Sequence, residues 1–297
     1  MAELSNGLAQ KVGDGVGKWV GYSAVGTFLL YLFGYLALRF QLTAYGVAAN
    51  LDAFDERYLF AGCRFLVYLA MTIPSILMIL AIVLLMSWCV YRSTPVSWRS
   101  LLTKRFSNWL GRPYLLRLVG CAAALLLIQL VLRQCVLLSN VLLRDSLPPG
   151  WITSVLLAGE SGQSFYFKAL VLGAGFSIAV LGYVLHVPRV PGAPSTFLTA
   201  LLVFLVGIEI LLLPVNYGIL IGGAWLPRVS QIENQAKLTS GASAWLVWES
   251  KEALTYLTCE NNSRTMLSVP KKENRVSIVG YDPIFRVVGR PPCSPSN

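Results

Sequence analysis

The stretch that decides the fold runs from Thr196 to Trp225 and reads TFLTALLVFLVGIEILLLPVNYGILIGGAW. A helix of this length crosses a bilayer core of roughly 30 Å, since each residue adds about 1.5 Å. Glu209 lies near its middle, and Pro214 and Asn216 follow. A charged side chain at that depth costs roughly 2.5–3.5 kcal/mol on insertion scales. The stretch therefore predicts a membrane-spanning helix whose carboxylate needs a partner or a function.

Composition supports a membrane protein. The 297 residues are 56% hydrophobic and 13% charged, and the mean hydropathy is +0.63. A soluble domain carries about 25% charged residues, so the deficit indicates several apolar spans. We expect an all-α polytopic membrane protein with about five transmembrane helices and a small β-rich C-terminal extramembrane domain.

Four further apolar runs precede the deciding stretch: 19–38, a span within 59–91, 115–143 and 165–187. The run 59–91 exceeds what a bilayer requires, so this helix must tilt, kink or project. Pro74 is the expected kink point because it removes one helical hydrogen bond. The expected domains are a polar N-terminal lead at 1–18, a transmembrane helical domain at 19–226, a β-rich domain at 227–290 and a flexible tail at 291–297.

Charge distribution predicts the topology. The net charge is +10, and the connector from Arg92 to Pro113 contains basic residues and no acidic ones. Such connectors lie in the cytoplasm, which places the N-terminus on the same side. Five crossings put the C-terminal domain on the opposite side of a cell or inner membrane. Alternatively, residues 214–226 re-enter the membrane and return the C-terminal domain to the cytoplasm.

The same basic connector has apolar side chains interleaved with its charges at helical spacing. This pattern predicts an amphipathic helix that lies on the inner leaflet and contacts anionic lipids. A helix that docks on a partner protein is the alternative. The residues concerned are Trp98, Arg99, Lys104, Arg105, Phe106, Trp109 and Arg112.

The C-terminal part changes character after Pro227. Short segments rich in β-branched and aromatic residues alternate there with turn residues, a pattern typical of a small antiparallel sheet. Alone such a domain would be marginally stable, so we expect it to pack on the membrane part or on a neighbouring subunit. The expected strands are 244–248, 253–258, 265–269, 275–279 and a further one at 284–288.

A polar layer is the main candidate site. Gln129, Arg133 and Asn140 fall on one helix face, and Glu209 and Asn216 share a face of another. Both runs travel outward from the cytoplasmic side, so Arg133 and Glu209 are predicted at comparable depth and as a buried pair. The pair would either fix helix register or line a route for an ion, proton or small polar solute.

Pro214 also has a structural and a functional interpretation. It is either an ordinary kink or a helix break that frees backbone carbonyls to line a cavity.

Catalytic, metal and cofactor sites are not indicated. The chain lacks the HExxH, GxSxG and complete phosphate-loop motifs. No CxxC occurs, and one histidine cannot form a metal site alone. Cys259 and Cys293 could form a disulfide in an oxidising compartment. No reading element for nucleic acid is visible.

The sequence thus favours a non-enzymatic integral membrane subunit. It would assemble with itself or with a partner, and its C-terminal β-domain would sense or dock. The alternative is a channel or transporter for an ion or small polar solute that uses the Arg133–Glu209 layer.

Overall fold

The structure, a computed structural model, describes residues 2–47, 56–95, 100–101, 103–105, 114–144, 149–186, 193–232, 244–260, 263–273 and 276–289. The fold is mostly helical and ends in an antiparallel sheet. Five helices in this part of the chain are long and apolar enough to cross a membrane by length and composition. The expected order, apolar helices and then a sheet, is confirmed.

The helices carry almost all the apolar runs of the sequence. They are α1 Ala2–Tyr45, α2 Glu56–Ser93, α3 Tyr114–Leu132, the short α4 Trp151–Leu157, α5 Gly159–His186 and α6 Ala193–Tyr217. A 3₁₀ turn at Arg133–Leu137 extends α3, and a π-helical turn at Gly218–Gly222 extends α6.

Two helix bounds differ from the expectation. Helix α1 begins at Ala2, so the polar lead and the first span form one continuous helix. The predicted span 115–143 ends earlier, because α3 tightens into its 3₁₀ turn and Asn140 adopts φ = 54°. Positive φ is incompatible with a right-handed helix. The apolar run continues past the helix because Val141 and Leu142 are buried under the sheet instead.

Helices α3, α5 and α6 form the compact part of the helical region. Leu118 and Leu125 of α3 pack in one apolar cluster with Leu202 and Val206 of α6. In the most apolar 18-residue window of each span, 44% of the α6 residues are buried, against 6% for α2. Helix α6 is therefore the central element, and α2 is peripheral.

Helices α1 and α2 form an antiparallel hairpin that touches the rest of the helices at one end only. Every residue from 77 to 93 of α2 and from 20 to 29 of α1 is exposed. We name these two segments together the distal segment. Near the other end, a Cβ added at Gly34 would overlap the carbonyl oxygen of Tyr58, and one at Gly62 would overlap that of Leu30.

The described residues of the C-terminal part contain five strands: β1 Trp225–Ile232, β2 Ala244–Glu249, β3 Ala253–Glu260, β4 Ser263–Pro270 and β5 Val276–Pro283. They form one antiparallel sheet in the order β4-β3-β2-β1-β5. Most of the predicted strands are confirmed, and β1 extends the sheet toward the long helices.

The segment predicted as a further strand at 284–288 is wrong, because it forms the short helix α7, Ile284–Gly289. Its β-branched residues favour a strand on propensity alone. Ile284, Val287 and Val288 are spaced so that a helix buries all three on one face, and all three are buried. Tertiary burial overrides local propensity here.

The sheet packs directly against one end of the helices. Leu226, Leu257 and Ile284 share an apolar cluster with Leu42 and Ile219. The buried Arg264 on β4 donates from Nη2 to the carbonyl of Val287 at 2.7 Å. A guanidinium at the carbonyl end of a helix is favourable for the helix dipole. The sheet therefore does not stand alone, as its small size predicts.

Stability should depend on the close approach of α1 and α2. We expect Gly62→Ala to lower the thermal midpoint in detergent by several degrees, because overpacking costs about 1–3 kcal/mol. Gly120→Ala is the matched control, since nothing lies within 4 Å of a Cβ added there. Differential scanning fluorimetry measures both, and equal midpoints would contradict the contact.

Candidate functional site

Two polar side chains lie deep inside the helical part of the protein. Glu209 and Asn216 are both 0% exposed on α6. They are seven residues apart, so they point to the same side of the helix. This side faces α3, as the hydrogen bonds of Asn216 show.

Asn216 connects α6 to the end of α3. Its Nδ2 donates to the carbonyl of Leu132 at 2.9 Å and to that of Leu212 at 2.8 Å. Leu132 is the last residue of α3, where the helix tightens into the 3₁₀ turn. The Oδ1 atom of Asn216 has no hydrogen-bond partner. The amide therefore supplies a donor at a point where backbone bonding changes.

This bond fixes the register between the two helices. It joins residues 84 positions apart, and the two helices run in the same direction, since their first halves also pack together. With that offset, Glu209 lies level with Leu125. Arg133 lies eight residues further along, about 12 Å away at 1.5 Å per residue.

The predicted Arg133–Glu209 pair is therefore wrong. Both carboxylate oxygens of Glu209 are buried without a hydrogen-bond partner, whereas Arg133 is exposed on the surface of the 3₁₀ turn. Similar positions within two apolar runs do not imply equal depth, because α3 and α6 begin at different levels.

The remaining members of the predicted layer are also dispersed. Gln129 is half-buried on α3, and Asn140 is exposed in the turn that follows. The Asn140 N–H donates to the carbonyl of Thr43 at 3.5 Å. Asn140 therefore connects two chain segments beside the sheet and does not face Glu209.

A serine that the sequence did not associate with the site lies beside Glu209. Ser177 of α5 is fully buried next to this carboxyl group. Its hydroxyl donates to the carbonyl of Gly173 at 3.1 Å. Ser177 follows small residues typical of close helix packing, so only the assembled bundle identifies it as a neighbour of Glu209.

The helix break predicted at Pro214 is wrong. Pro214 is buried within α6, and the chain stays helical through the π-helical turn to Gly222. The widened turn begins at Gly218, where an added Cβ would overlap the carbonyl of Ala37. The irregularity thus coincides with close packing against α1 and begins four residues beyond the proline. The chain does not turn back within this span.

The basic connector is described only in part. Lys104 and Arg105 are exposed and helical, as an amphipathic helix requires. The remaining five predicted surface residues lie outside the described residues: Trp98, Arg99, Phe106, Trp109 and Arg112.

No metal cluster of three or more potential ligands occurs among the residues that the structure describes. The absence of a cofactor stays a prediction. The side chains of Cys259 and Cys293 lie outside the described part, so their disulfide also stays a prediction.

Comparison with known proteins supplies no relative from which a function could be transferred: no family model, no curated protein and no solved structure matches the chain.

The register between α3 and α6 leads to a testable prediction about Arg133 and Glu209. Glu209→Leu should raise the thermal midpoint, because it removes a buried carboxyl group that forms no ion pair and has only Ser177 as a polar neighbour. Arg133→Leu should change it little. The double variant should be additive within about 0.3–0.5 kcal/mol, as for sites more than ~7–10 Å apart. A double variant much more stable than the sum of its parts would restore the pair and contradict the register.

Proposed function

We propose that this chain is a non-enzymatic, membrane-embedded subunit that assembles with itself or with a partner protein through the distal segment. The observation that carries the proposal is the uninterrupted exposure of residues 77–93 of α2. These residues are almost entirely apolar, with Leu77, Leu84 and Leu85 each more than half exposed. An apolar helix face of this extent requires a cover.

The length of α2 is compatible with a protein neighbour. Its apolar run from Leu59 to Tyr91 is about 50 Å long at 1.5 Å per residue, whereas the bilayer core is about 30 Å thick. A tilt of ~40° leaves roughly 38 Å along the membrane normal, so part of α2 extends beyond the core. We propose that a protein neighbour packs along the distal segment.

The sheet supports a docking role. Strand β5 is an edge strand of the sheet, and Val279 and Tyr281 on it are 59% and 61% exposed. Edge strands expose unpaired backbone groups, and natural proteins usually protect them with charge or cover them. The exposed apolar side chains of this edge suit it to pairing with another chain.

The proposed topology has five crossings, with the N-terminus and the basic connector in the cytoplasm and the sheet on the opposite side. It is supported by the continuous helix up to Gly222, after which β1 begins at Trp225. The exposed Lys104 and Arg105 fit contact with anionic lipids of the inner leaflet.

The assembly is testable with a native cysteine. Cys89 is exposed within the distal segment. We expect mild copper-phenanthroline oxidation of native membranes to give a Cys89-dependent crosslinked species on non-reducing gels. A species of twice the mass indicates self-assembly, and another mass indicates a partner. The matched control carries Cys89→Ser with Phe204→Cys, since Phe204 is 64% exposed on α6.

The control should stay uncrosslinked, because α6 is the centre of the subunit and its exposed side faces lipid. Equal crosslinking from both positions would indicate random collision. The assembly would be contradicted if the native protein and the control variant both ran only as monomers on the gel and labelled protein bleached in a single step.

A second function is supported by Glu209. We propose that its carboxyl group, buried beside Ser177 without a hydrogen-bond partner, serves the movement of a proton or small polar solute across the helical bundle. Intramembrane ionisable groups commonly mark such routes. Arg133 takes no part in this version, because it lies on the outer surface.

Proteoliposome measurements test this role. We expect Glu209→Gln to abolish proton flux, reported by an internal pH-sensitive dye, while the melting profile stays within the range of the native protein. Glu160→Gln, which alters an exposed acid at the start of α5, is the control and should retain flux. Flux equal to that of empty liposomes in the native protein would eliminate the proposal.

A further inference from the structure

Arg117 and Tyr183 form a polar pair at the end of the helical bundle that lies away from the sheet. Arg117 on α3 is one residue inside the candidate span Leu116–Leu137, and Tyr183 on α5 is three residues before its span ends at His186. Arg117 Nη1 donates to the hydroxyl oxygen of Tyr183 at 3.0 Å. The pair is separate from the polar layer and from the distal segment.

The two side chains present hydrogen-bond donors that lack acceptors. A guanidinium can only donate, so the Tyr183 oxygen accepts and its own hydrogen is left free to donate. No acceptor for this hydrogen occurs among the residues that the structure describes. Arg117 Nε is also without a hydrogen-bond partner. Since Tyr183 is 37% exposed, the unused donors lie at the bundle surface.

The bundle and its connectors place no acid beside Arg117. It forms no ion pair with a described residue. Glu209 lies about 12 Å further along, because Arg117 precedes Leu125, the residue level with that carboxyl group, by eight residues. The connectors on either side, 94–113 and 187–192, contain no acidic residue.

The acidic residues of the N-terminal lead belong to a different part of the molecule. Glu3 and Asp14 lie on α1, and the residues that follow them, 20–29, are all exposed. Helix α1 therefore does not pack against α3 at this end. In the described part of the chain, the charge of Arg117 has a hydroxyl partner and no acidic one.

The surface around the pair is apolar. Leu116 and Val119 on α3 and Leu185 on α5 are each about half exposed. A Cβ added at Gly120 or Gly182 would meet nothing within 4 Å, so the space beside the pair is open. The candidate spans begin or end at this level, where a bilayer core gives way to its headgroups. A ligand that fits combines an anionic group with apolar chains.

We propose that Arg117 and Tyr183 bind the phosphate group of an anionic phospholipid. The phosphate oxygens accept from the guanidinium and from the Tyr183 hydroxyl, and the acyl chains lie against the exposed leucines. Guanidinium donors suit phosphate oxygens in charge and geometry. In the proposed topology this end faces the cytoplasm, where the leaflet carries anionic lipids. The inference rests on the membrane embedding of the proposed function and not on assembly through the distal segment.

Lipid binding to the full-length protein in neutral detergent tests the site. The probes are phosphatidylglycerol and phosphatidylcholine, with apparent dissociation constants from native mass spectrometry. We expect phosphatidylglycerol to bind more tightly, because choline neutralises the phosphate of the other lipid. Arg117→Gln should weaken phosphatidylglycerol binding about tenfold, as for the loss of a hydrogen bond to a charged group. Tyr183→Phe should weaken it roughly threefold, as for a neutral donor.

Arg133→Gln is the matched control. Arg133 lies on the same chain segment, eight residues beyond Leu125, and is exposed. It has no hydroxyl beside it among the described residues. Phosphatidylglycerol affinity should stay within about twofold of the native value, well below one tenfold step. Melting profiles confirm that each variant is folded before its affinity is compared.

Three results would overturn the proposal. Equal losses from Arg117→Gln and Arg133→Gln would indicate general surface charge. Equal affinity for the two lipids in the native protein would remove the role of the anion. Displacement of phosphatidylglycerol by an equal concentration of inorganic phosphate would assign the pair to free phosphate. None of these results bears on crosslinking through Cys89, so the two proposals fail separately.

Discussion

The hydrogen bond from Asn216 to the carbonyl of Leu132 sets the register on which the helical part depends. In an apolar interior an unpaired amide costs more than the bond itself contributes, so α3 and α6 are held where the bond can form. Sliding α6 by one turn would break this bond and leave the amide only its bond within α6, to the carbonyl of Leu212. Glu209 is placed opposite apolar residues of α3 as a direct consequence.

The same end of α6 determines how the sheet is held. Residues 213–220 are all buried, because α1 approaches so closely that Gly218 lies against the backbone of Ala37. Just beyond, the hydroxyl of Tyr45 donates to the carbonyl of Gly223 at 2.6 Å. Strand β1 starts two residues later. Helix packing and sheet position are thus set by one short segment.

The sequence predicts what depends on local pattern. Long apolar runs are sufficient for five helices, and alternating β-branched segments are sufficient for most of the sheet. Prediction from the sequence fails for the Arg133–Glu209 pair and for helix α7. Periodicity gives the face on which a side chain lies, but the depth of one helix against another depends on contacts between residues far apart in sequence. For α7, burial of Ile284, Val287 and Val288 decides against the strand that their propensity favours.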